Sequence, residues 1–221
     1  MNKIAICQPY FAPYLGYFQL LSAVDVFVSY DDVNFIKGGW INRNKICVQE
    51  REMLFQIPLK KQSPFKKINE IKIDWDSRSM RKLTKTLQSA YSKSKYKNEV
   101  LGILEDMFKK KPDLISELAL DSIRSFCNYL DIEVDLKTSS YEDYKKTDDR
   151  VENLVNICEK ENIKHYINPI GGQKLYDKDV FKSHGITLNF LQGTPSLSII
   201  DVCMNNPVEK IKEKLRDFKL V

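Results

Sequence analysis

The spacing of apolar and polar residues predicts that strands alternate with helices along much of the chain. A short apolar run from Lys3 to Cys7 stops at Gln8 and Pro9, because proline cannot join a strand ladder. Apolar residues return at helical spacing from Leu15 onward. The sequence therefore begins with a strand, a loop and a helix, and α/β proteins place their ligand sites at such junctions.

Further strands are predicted on both sides of a helical segment. The range 25–32 predicts a second strand that ends in two aspartates, and 40–59 predicts a hairpin with its turn at 49–51. Apolar spacing is helical from 77 to 130, and a strand pattern returns after Ile132.

Alternating elements on both sides of this segment favour one α/β domain spanning 1–221. We predict three layers, a largely parallel sheet with Ile4–Cys7 as a central strand, and a helical insertion at about 77–130. The helix after the strand and loop of 132–147 has Asp148 as its predicted N-cap.

Composition narrows the classes of function. The net charge of +5 comes from 35 basic and 30 acidic residues, and no nucleic-acid motif accompanies the lysine runs, so nucleic-acid binding is not expected. Five scattered cysteines without a CxxC pair indicate a reduced protein. No apolar run approaches the ~20 residues that span a bilayer, so we expect a cytoplasmic location. No metal-ligand spacing appears, and no motif identifies a cofactor.

The loop after the first strand resembles a nucleotidyltransferase signature. In that signature a proline-containing loop leads to His-x-Gly-His at a helix start, and here Tyr14-Leu15-Gly16-Tyr17 fills the same spacing. The histidines would donate hydrogen bonds to a triphosphate, whereas a tyrosine can stack and donate one hydrogen bond but stays neutral near pH 7. The layout therefore predicts a Rossmann-like fold of nucleotidyltransferase type without its chemistry.

A second resemblance covers nearly the whole chain. The chain is similar to the WbqC-like family in the segments "QPYFAPYLGYFQLL", "YDDVNFIKGGWINRNKI", "AYSKSKY", "DDRVENLVNICEKENIKHYINPIGG" and "SIIDVCMNN". The resemblance implies a role in making O-antigen (lipopolysaccharide) and other surface polysaccharides. It also suggests transfer of glycine to an amino sugar, without identifying catalytic residues.

Candidate ligand-binding residues concentrate in the two loops that follow the first two strands. Carboxylates, a lysine, an arginine and an indole match the needs of a nucleotide-sugar ligand, and cleft tyrosines can present a face to a sugar ring and a hydroxyl to a phosphate. We expect one cleft to be lined by Gln8, Tyr10, Tyr14, Tyr17, Asp31, Asp32, Lys37, Trp40, Asn42 and Arg43. Asp31 or Asp32 is the candidate general base. For each residue alone, a structural role in a polar loop is an equal alternative.

Two later places add candidates. Arg150 is a candidate phosphate ligand, because the helix dipole does not stabilise a positive charge at the start of a helix. Gly171 and Gly172 follow a predicted strand, where they either contact phosphate or turn the chain, and the turn is favoured. His165 and His184 lack sequence partners and are expected to be structural.

Two classes of function remain open at this point. The first is a transferase that adds an acyl or aminoacyl group, such as glycine, to the amino group of a nucleotide-linked or lipid-linked sugar. Such a reaction needs positioning and one base but no enzyme nucleophile. The second is a non-catalytic module that binds a nucleotide sugar or associates with other polysaccharide enzymes. A glycosyltransferase is weaker, because the Asp31-Asp32 pair lacks the spacer of a DxD motif.

Overall fold

The computed structural model describes residues 2–221 as a mixed α/β structure. Its strands are β1 (Ile4–Cys7), β2 (Val26–Ser29), β3 (Arg43–Val48), β4 (Arg51–Gln56), β5 (Leu59–Lys60), β6 (Lys72–Ile73), β7 (Asp135–Thr138), β8 (His165–Pro169), β9 (Thr187–Gln192) and β10 (Lys219–Leu220). Its α-helices are α1 (Leu15–Ser22), α2 (Arg78–Ala90), α3 (Lys97–Lys110), α4 (Ile115–Tyr129), α5 (Arg150–Lys160), α6 (Lys178–Ser183), α7 (Ile199–Asn205) and α8 (Val208–Leu215).

The central sheet has six strands in the order β10-β9-β8-β1-β2-β7. Strand β1 pairs in parallel with β2 and β8, and the next pairs outward, β2 with β7 and β8 with β9, are also parallel. Only β10, at one edge, is antiparallel. The prediction of a largely parallel sheet with Ile4–Cys7 in its centre is confirmed.

Helices cover both faces of this sheet. Alternate residues of a strand point to opposite faces, and accordingly Ala5 packs in a core with α1–α4, α7 and α8, whereas Ile4 and Ile6 pack in a second core with α5 and α6. All three side chains are at most 3% exposed. A strand buried on both faces is apolar at every position, which explains the continuous apolar run at the start of the chain.

Helices α2, α3 and α4 lie between β6 and β7, where the sequence predicts a helical segment. The predicted hairpin also forms, as β3 and β4 pair in antiparallel register. Its two turn residues, Gln49 and Glu50, both have positive φ, as a two-residue turn that matches strand twist requires.

The predicted cap of α5 is wrong by one residue. The helix begins after Asp149, whose carboxylate accepts a hydrogen bond from the backbone N–H of Glu152 at 2.8 Å. Asp148 precedes this N-cap and makes no such bond. A carboxylate at the N-cap satisfies a backbone donor that has no partner within the helix.

No helix within residues 2–221 is both long enough and apolar enough to cross a lipid bilayer.

Candidate functional site

Four parallel strands end at the same edge of the sheet, and the loops that follow them form the candidate site. The chain leaves β1 toward β2 and β7 on one side and later returns to β8 and β9 on the other side. The order therefore reverses between β1 and β8, and α/β sheets bind ligands beside such a switch point. Residues 8–14, 30–32, 139–149 and 170–176 follow β1, β2, β7 and β8 at this edge.

The loop after β1 and the first turn of α1 contribute three of the predicted tyrosines. Tyr17 is buried, and its hydroxyl donates to the backbone carbonyl of Gln8 at 2.9 Å, so it holds the loop against α1. The Tyr10 ring lies 5.6 Å from the Tyr17 ring, centroid to centroid. Tyr10 and Tyr14 are half-buried, and their hydroxyls find no hydrogen-bond partner among residues 2–221. Burial raises the pKa of all three phenols, so they act as neutral donors.

A cysteine at the end of β1 lies beside these tyrosines. Cys7 keeps part of its surface exposed, yet desolvation raises the pKa of its thiol to about 12. A thiol acts as a nucleophile only as the thiolate. Cys7 is therefore protonated near neutral pH and is unsuited to forming a covalent intermediate.

Two further tyrosines and an arginine follow other strands at the same edge. Tyr30 follows β2 and Tyr176 follows β8; both are half-buried, without a hydroxyl partner in the described chain. Burial raises the pKa of Tyr30 to about 12, and the Asp32 carboxylate adds to that shift. Burial also raises the pKa of Tyr176. The guanidinium of Arg150, at the start of α5, opposes both shifts, so its charge acts on both phenols.

Asp31 is held by the loop that follows β7. Its carboxylate accepts hydrogen bonds from the Ser140 backbone N–H at 3.1 Å and the Ser140 hydroxyl at 2.8 Å. The Ser139 hydroxyl lies 3.1 Å from the same carboxylate and also contacts Asp32, but its single proton can serve only one of them at a time. Asp31 is 2% exposed. Burial raises the pKa of Asp31, while the serine hydrogen bonds act in the opposite direction.

Asp32 is the more accessible of the two predicted bases. Its carboxylate lies 3.0 Å from the ammonium of Lys146, and its side chain is 13% exposed. The same ammonium lies 4.5 Å from the centroid of the Tyr30 ring, a cation–π distance. Lys146 therefore connects Asp32 with Tyr30.

The loop 37–43 lies beside the loop that follows β1. The backbone N–H of Phe11 donates to the carbonyl of Ile41 at 2.8 Å, which joins the two loops. Asn42 is 3% exposed, and its amide donates to the Ile57 carbonyl at 2.8 Å, as a structural residue does.

The other predicted residues of this loop are more open to solvent. The guanidinium of Arg43 donates hydrogen bonds to the carbonyls of Gly38 and Gly39. It lies 5.5 Å from the centroid of the Trp40 ring. Lys37 and Trp40 are exposed. Neither side chain has a contact that joins it to the tyrosines at the sheet edge. That the residues of this loop line the same cleft as those tyrosines therefore stays a prediction.

The two glycines after β8 differ in their surroundings. They lie in a 3₁₀ turn at 170–174. A Cβ on Gly172 would lie 2.0 Å from the side-chain oxygen of Asn168, whereas one on Gly171 would meet nothing within 4 Å. Asn168 in turn donates to the hydroxyl of Tyr166. Gly172 therefore makes room for Asn168, and the Gly172 carbonyl accepts from the Tyr176 N–H at 3.0 Å.

Comparison with known proteins places the chain in a family. The model of the WbqC-like protein family matches residues 8–213. The chain belongs to this family. It is also 27% identical over 223 residues to the uncharacterized protein Rv1507c of Mycobacterium tuberculosis, covering 93% of this chain and 94% of that protein. No solved structure matches the chain.

Several residues of the WbqC-like site were missed by sequence reasoning. Tyr30, Tyr176 and Lys146 flank motifs that were recognised, but a lone tyrosine or lysine beside a predicted strand end has no distinctive spacing. The signal that was available is the position of each residue just beyond a strand or just before a helix. Ser139 and Ser140 follow β7 in the same way, as a hydroxyl pair at a strand end.

Two surface grooves of the WbqC-like chain are lined by other residues than the tyrosines and aspartates described above, although the second includes Tyr141 and Glu142 of the loop after β7. One, of about 570 Å³, is lined by α2 and the end of β3, including Arg78, Arg81, Lys82 and Lys85. The other, of about 330 Å³, lies between α4 and β7. Within residues 2–221, no three His, Cys, Asp or Glu side chains are grouped as metal ligands would be.

Proposed function

We propose that the protein transfers an acyl or aminoacyl group, such as glycine, to the amino group of a nucleotide-linked or lipid-linked sugar in surface-polysaccharide biosynthesis, as in O-antigen. One observation carries the proposal. Four half-buried tyrosines have hydroxyls without a protein partner: Tyr10, Tyr14, Tyr30 and Tyr176. They follow strands at the edge where Arg150 and Asp32 also lie. Unused donors beside a guanidinium fit a sugar phosphate.

Each chemical group has a part in this assignment. The phenol faces of Tyr10 and Tyr14 stack on the sugar, and their neutral hydroxyls donate hydrogen bonds. Arg150 holds a phosphate through two parallel N–H donors, because guanidinium geometry matches phosphate oxygens. Gln8 offers a side-chain amide at the end of β1. Tyr17 positions the loop through its bond to the Gln8 carbonyl.

Asp32 is the proposed general base, and Asp31 positions it. The carboxylate of Asp31 is buried and accepts hydrogen bonds from the serine pair, so an amine cannot approach it. Asp32 retains an exposed part of its side chain. A base must come within hydrogen-bond reach of the proton that it removes, and that requirement favours Asp32.

The reaction follows from these roles. The sugar amine attacks the carbonyl carbon of an activated acyl donor, and a C–N bond forms. The bond from that carbon to the leaving group breaks, and the leaving group departs with the electron pair. The proton released by the amine goes to Asp32. No covalent enzyme intermediate is needed, which agrees with the raised pKa of the Cys7 thiol.

A non-catalytic binding role is the second candidate. Tyrosine stands at both histidine positions of the nucleotidyltransferase signature, and this supports a non-catalytic role. Tyr17 is buried and its hydroxyl already donates to the Gln8 carbonyl, so it does not replace a catalytic histidine. On this alternative, a nucleotidyltransferase-type scaffold retains a sugar or a partner enzyme and performs no transfer.

The experiment measures sugar binding and turnover separately. Purified protein is given nucleotide-linked amino sugars with glycyl thioester or glycyl ester donors. Asp32→Asn should lower turnover by about 100-fold while sugar affinity is retained, since loss of a general base costs that much. Arg150→Met should weaken affinity for the nucleotide sugar more than for the free amino sugar.

The control is Asp76→Asn, an exposed aspartate before α2 and outside the loops of the candidate site. It should match the parent in binding and turnover. Equal turnover in Asp32→Asn and the parent would refute the base assignment. Sugar binding without turnover for every donor would favour the binding module, and mass spectrometry of co-purified small molecules would identify its ligand.

A further inference from the structure

Two loops on the same side of the hairpin come together through their backbones. The N–H of Phe35 donates to the carbonyl of Lys66 at 2.8 Å. An antiparallel bridge pairs Asn34 with Lys67. Phe65 precedes Lys66 in a turn in which the Lys66 N–H donates to the Ser63 carbonyl at 3.2 Å. The segments 34–40 and 60–67 therefore form one surface.

Three large apolar side chains project from this surface. Phe65 is 92% exposed, Ile36 is 53% exposed and Trp40 is 44% exposed. Ile36 and Trp40 are joined by a tight turn, in which the Gly39 N–H donates to the Ile36 carbonyl at 2.9 Å. Single exposed apolar residues need no explanation, but three in adjoining loops indicate a binding surface.

The same loops are strongly basic. All five of their lysines are exposed, and within residues 2–221 none of their ammonium groups has a carboxylate within 4.0 Å. The sequence places no acidic residue in 33–49 or in 53–69. We call the three apolar residues and these lysines the loop-tip patch: Ile36, Lys37, Trp40, Lys60, Lys61, Phe65, Lys66 and Lys67.

We propose that the loop-tip patch docks the protein on the surface of a lipid bilayer that contains anionic lipids. Tryptophan is enriched at the headgroup level of membranes, and phenyl and aliphatic tips bury against acyl chains. Each lysine near an anionic surface adds attraction. An apolar tip with unpaired lysines beside it satisfies both terms at once. A surface for single-stranded nucleic acid would use the aromatic rings for stacking on bases, but it has no use for the projecting aliphatic side chain of Ile36.

The patch also borders the candidate site. Ile41 follows Trp40, and its carbonyl accepts the hydrogen bond from Phe11, one residue after Tyr10. A docked protein would hold the loop after β1 near the membrane surface. The docking proposal does not depend on the transfer reaction, because vesicle binding requires neither turnover nor sugar.

Sedimentation with phosphatidylcholine vesicles, with and without phosphatidylglycerol, tests the proposal on the full chain. The parent should bind the anionic vesicles and bind neutral vesicles far more weakly, with salt reducing the difference. Ile36→Ser combined with Phe65→Ser should weaken binding by about tenfold or more, as should Lys61→Glu combined with Lys66→Glu.

Two matched variants distinguish the patch from bulk properties. Leu54→Ser removes another exposed apolar residue, on β4, and Lys82→Glu with Lys85→Glu makes the same charge change on α2. Both should bind as the parent does. Equal losses in patch and control variants would overturn the proposal, as would a parent that binds no vesicles or binds single-stranded RNA in their place. Circular dichroism confirms that each variant is folded.

Discussion

The ammonium of Lys146 lies 3.0 Å from the carboxylate of Asp32, and the two residues come from loops after different strands. The lysine is 35% exposed and the aspartate 13%. An exposed pair of this kind contributes little to stability, because solvent screens it and ordering two side chains costs entropy. Its effect is to place a cation and an anion together among the loops of the candidate site.

The neighbouring carboxylate should behave differently. Asp31→Ala would leave the Ser140 N–H and hydroxyl without their charged acceptor, whereas the Ser139 hydroxyl could still donate to Asp32. We expect it to lower the free energy of unfolding by about 1.5–3 kcal/mol, the usual contribution of a hydrogen bond to a charged group. Urea denaturation measures the change.

Lys146→Met is the comparison for this prediction. It should change the same free energy by less than about 1 kcal/mol, because its ion pair is partly exposed. Similar effects of the two substitutions would contradict the view that Asp31 is the structural member of the pair.

The glycines after β8 provide a second test. In Gly172→Ala the new methyl group would overlap the Asn168 side chain, which then has to leave the Tyr166 hydroxyl. We expect a loss of about 1–3 kcal/mol in the free energy of unfolding, the usual cost of overpacking. Thermal and urea denaturation both report this change.

Gly171→Ala is the matched control, because its methyl group would meet open space. It should leave stability unchanged or raise it by up to about 1 kcal/mol through the lower entropy of the unfolded chain. A larger loss in Gly171→Ala than in Gly172→Ala would refute the packing explanation.

Local pattern was enough to predict some of this molecule but not the way the site is assembled. Strand β1 was predictable because a strand buried on both faces must be apolar throughout. The partnership of Asp31 with Ser140 joins residues 109 positions apart. It depends on β7 lying beside β2, and no local periodicity encodes the order of strands in a sheet.

The position of Tyr176 has the same explanation. Its phenol is influenced by the charge of Arg150 because α5 connects β7, on one side of β1, with β8 on the other. The sequence prediction included Arg150 for a local reason, its place at a helix start. It omitted Tyr176, because no local pattern marks this residue. Its position is set by β8 and by the turn between β8 and Tyr176.

A third prediction concerns the late motif "SIIDVCMNN". The Tyr91 hydroxyl donates to Asp201 at 2.6 Å, and the same carboxylate oxygen accepts the Cys47 N–H at 2.8 Å. Asp201 thus joins the end of α2, the hairpin and α7. Tyr91→Phe should cost about 1.5–3 kcal/mol, the usual contribution of a hydrogen bond to a charged group.

Tyr96→Phe serves as its control. The Tyr96 hydroxyl has no hydrogen-bond partner within residues 2–221, so its removal should change stability by less than about 0.5 kcal/mol. Urea denaturation of both variants decides the matter. If the two variants were equally stable, the Tyr91–Asp201 bond would have no special part in holding the helical segment to the sheet.

The last prediction is a loss of stability in alkaline solution. Burial raises the pKa of four thiols, those of Cys7, Cys127, Cys158 and Cys203, from 9.0 to about 12. In the unfolded chain these thiols lose their protons near pH 9, whereas the folded protein retains them up to about pH 12. Their contribution is therefore fully present below the unfolded pKa and is lost as the pH rises toward the folded pKa.

The size of the effect follows from proton linkage. Each thiol lowers the free energy of unfolding by about 1.4 kcal/mol per pH unit once the unfolded chain is deprotonated, so four together approach a slope on the order of 5 kcal/mol per pH unit. The urea midpoint should fall steeply above about pH 9. Cys158→Ala removes one thiol on the buried face of α5, and its slope should be shallower by about 1.4 kcal/mol per pH unit. A parent whose urea midpoint stayed level across this range would show that the thiols titrate alike in both states.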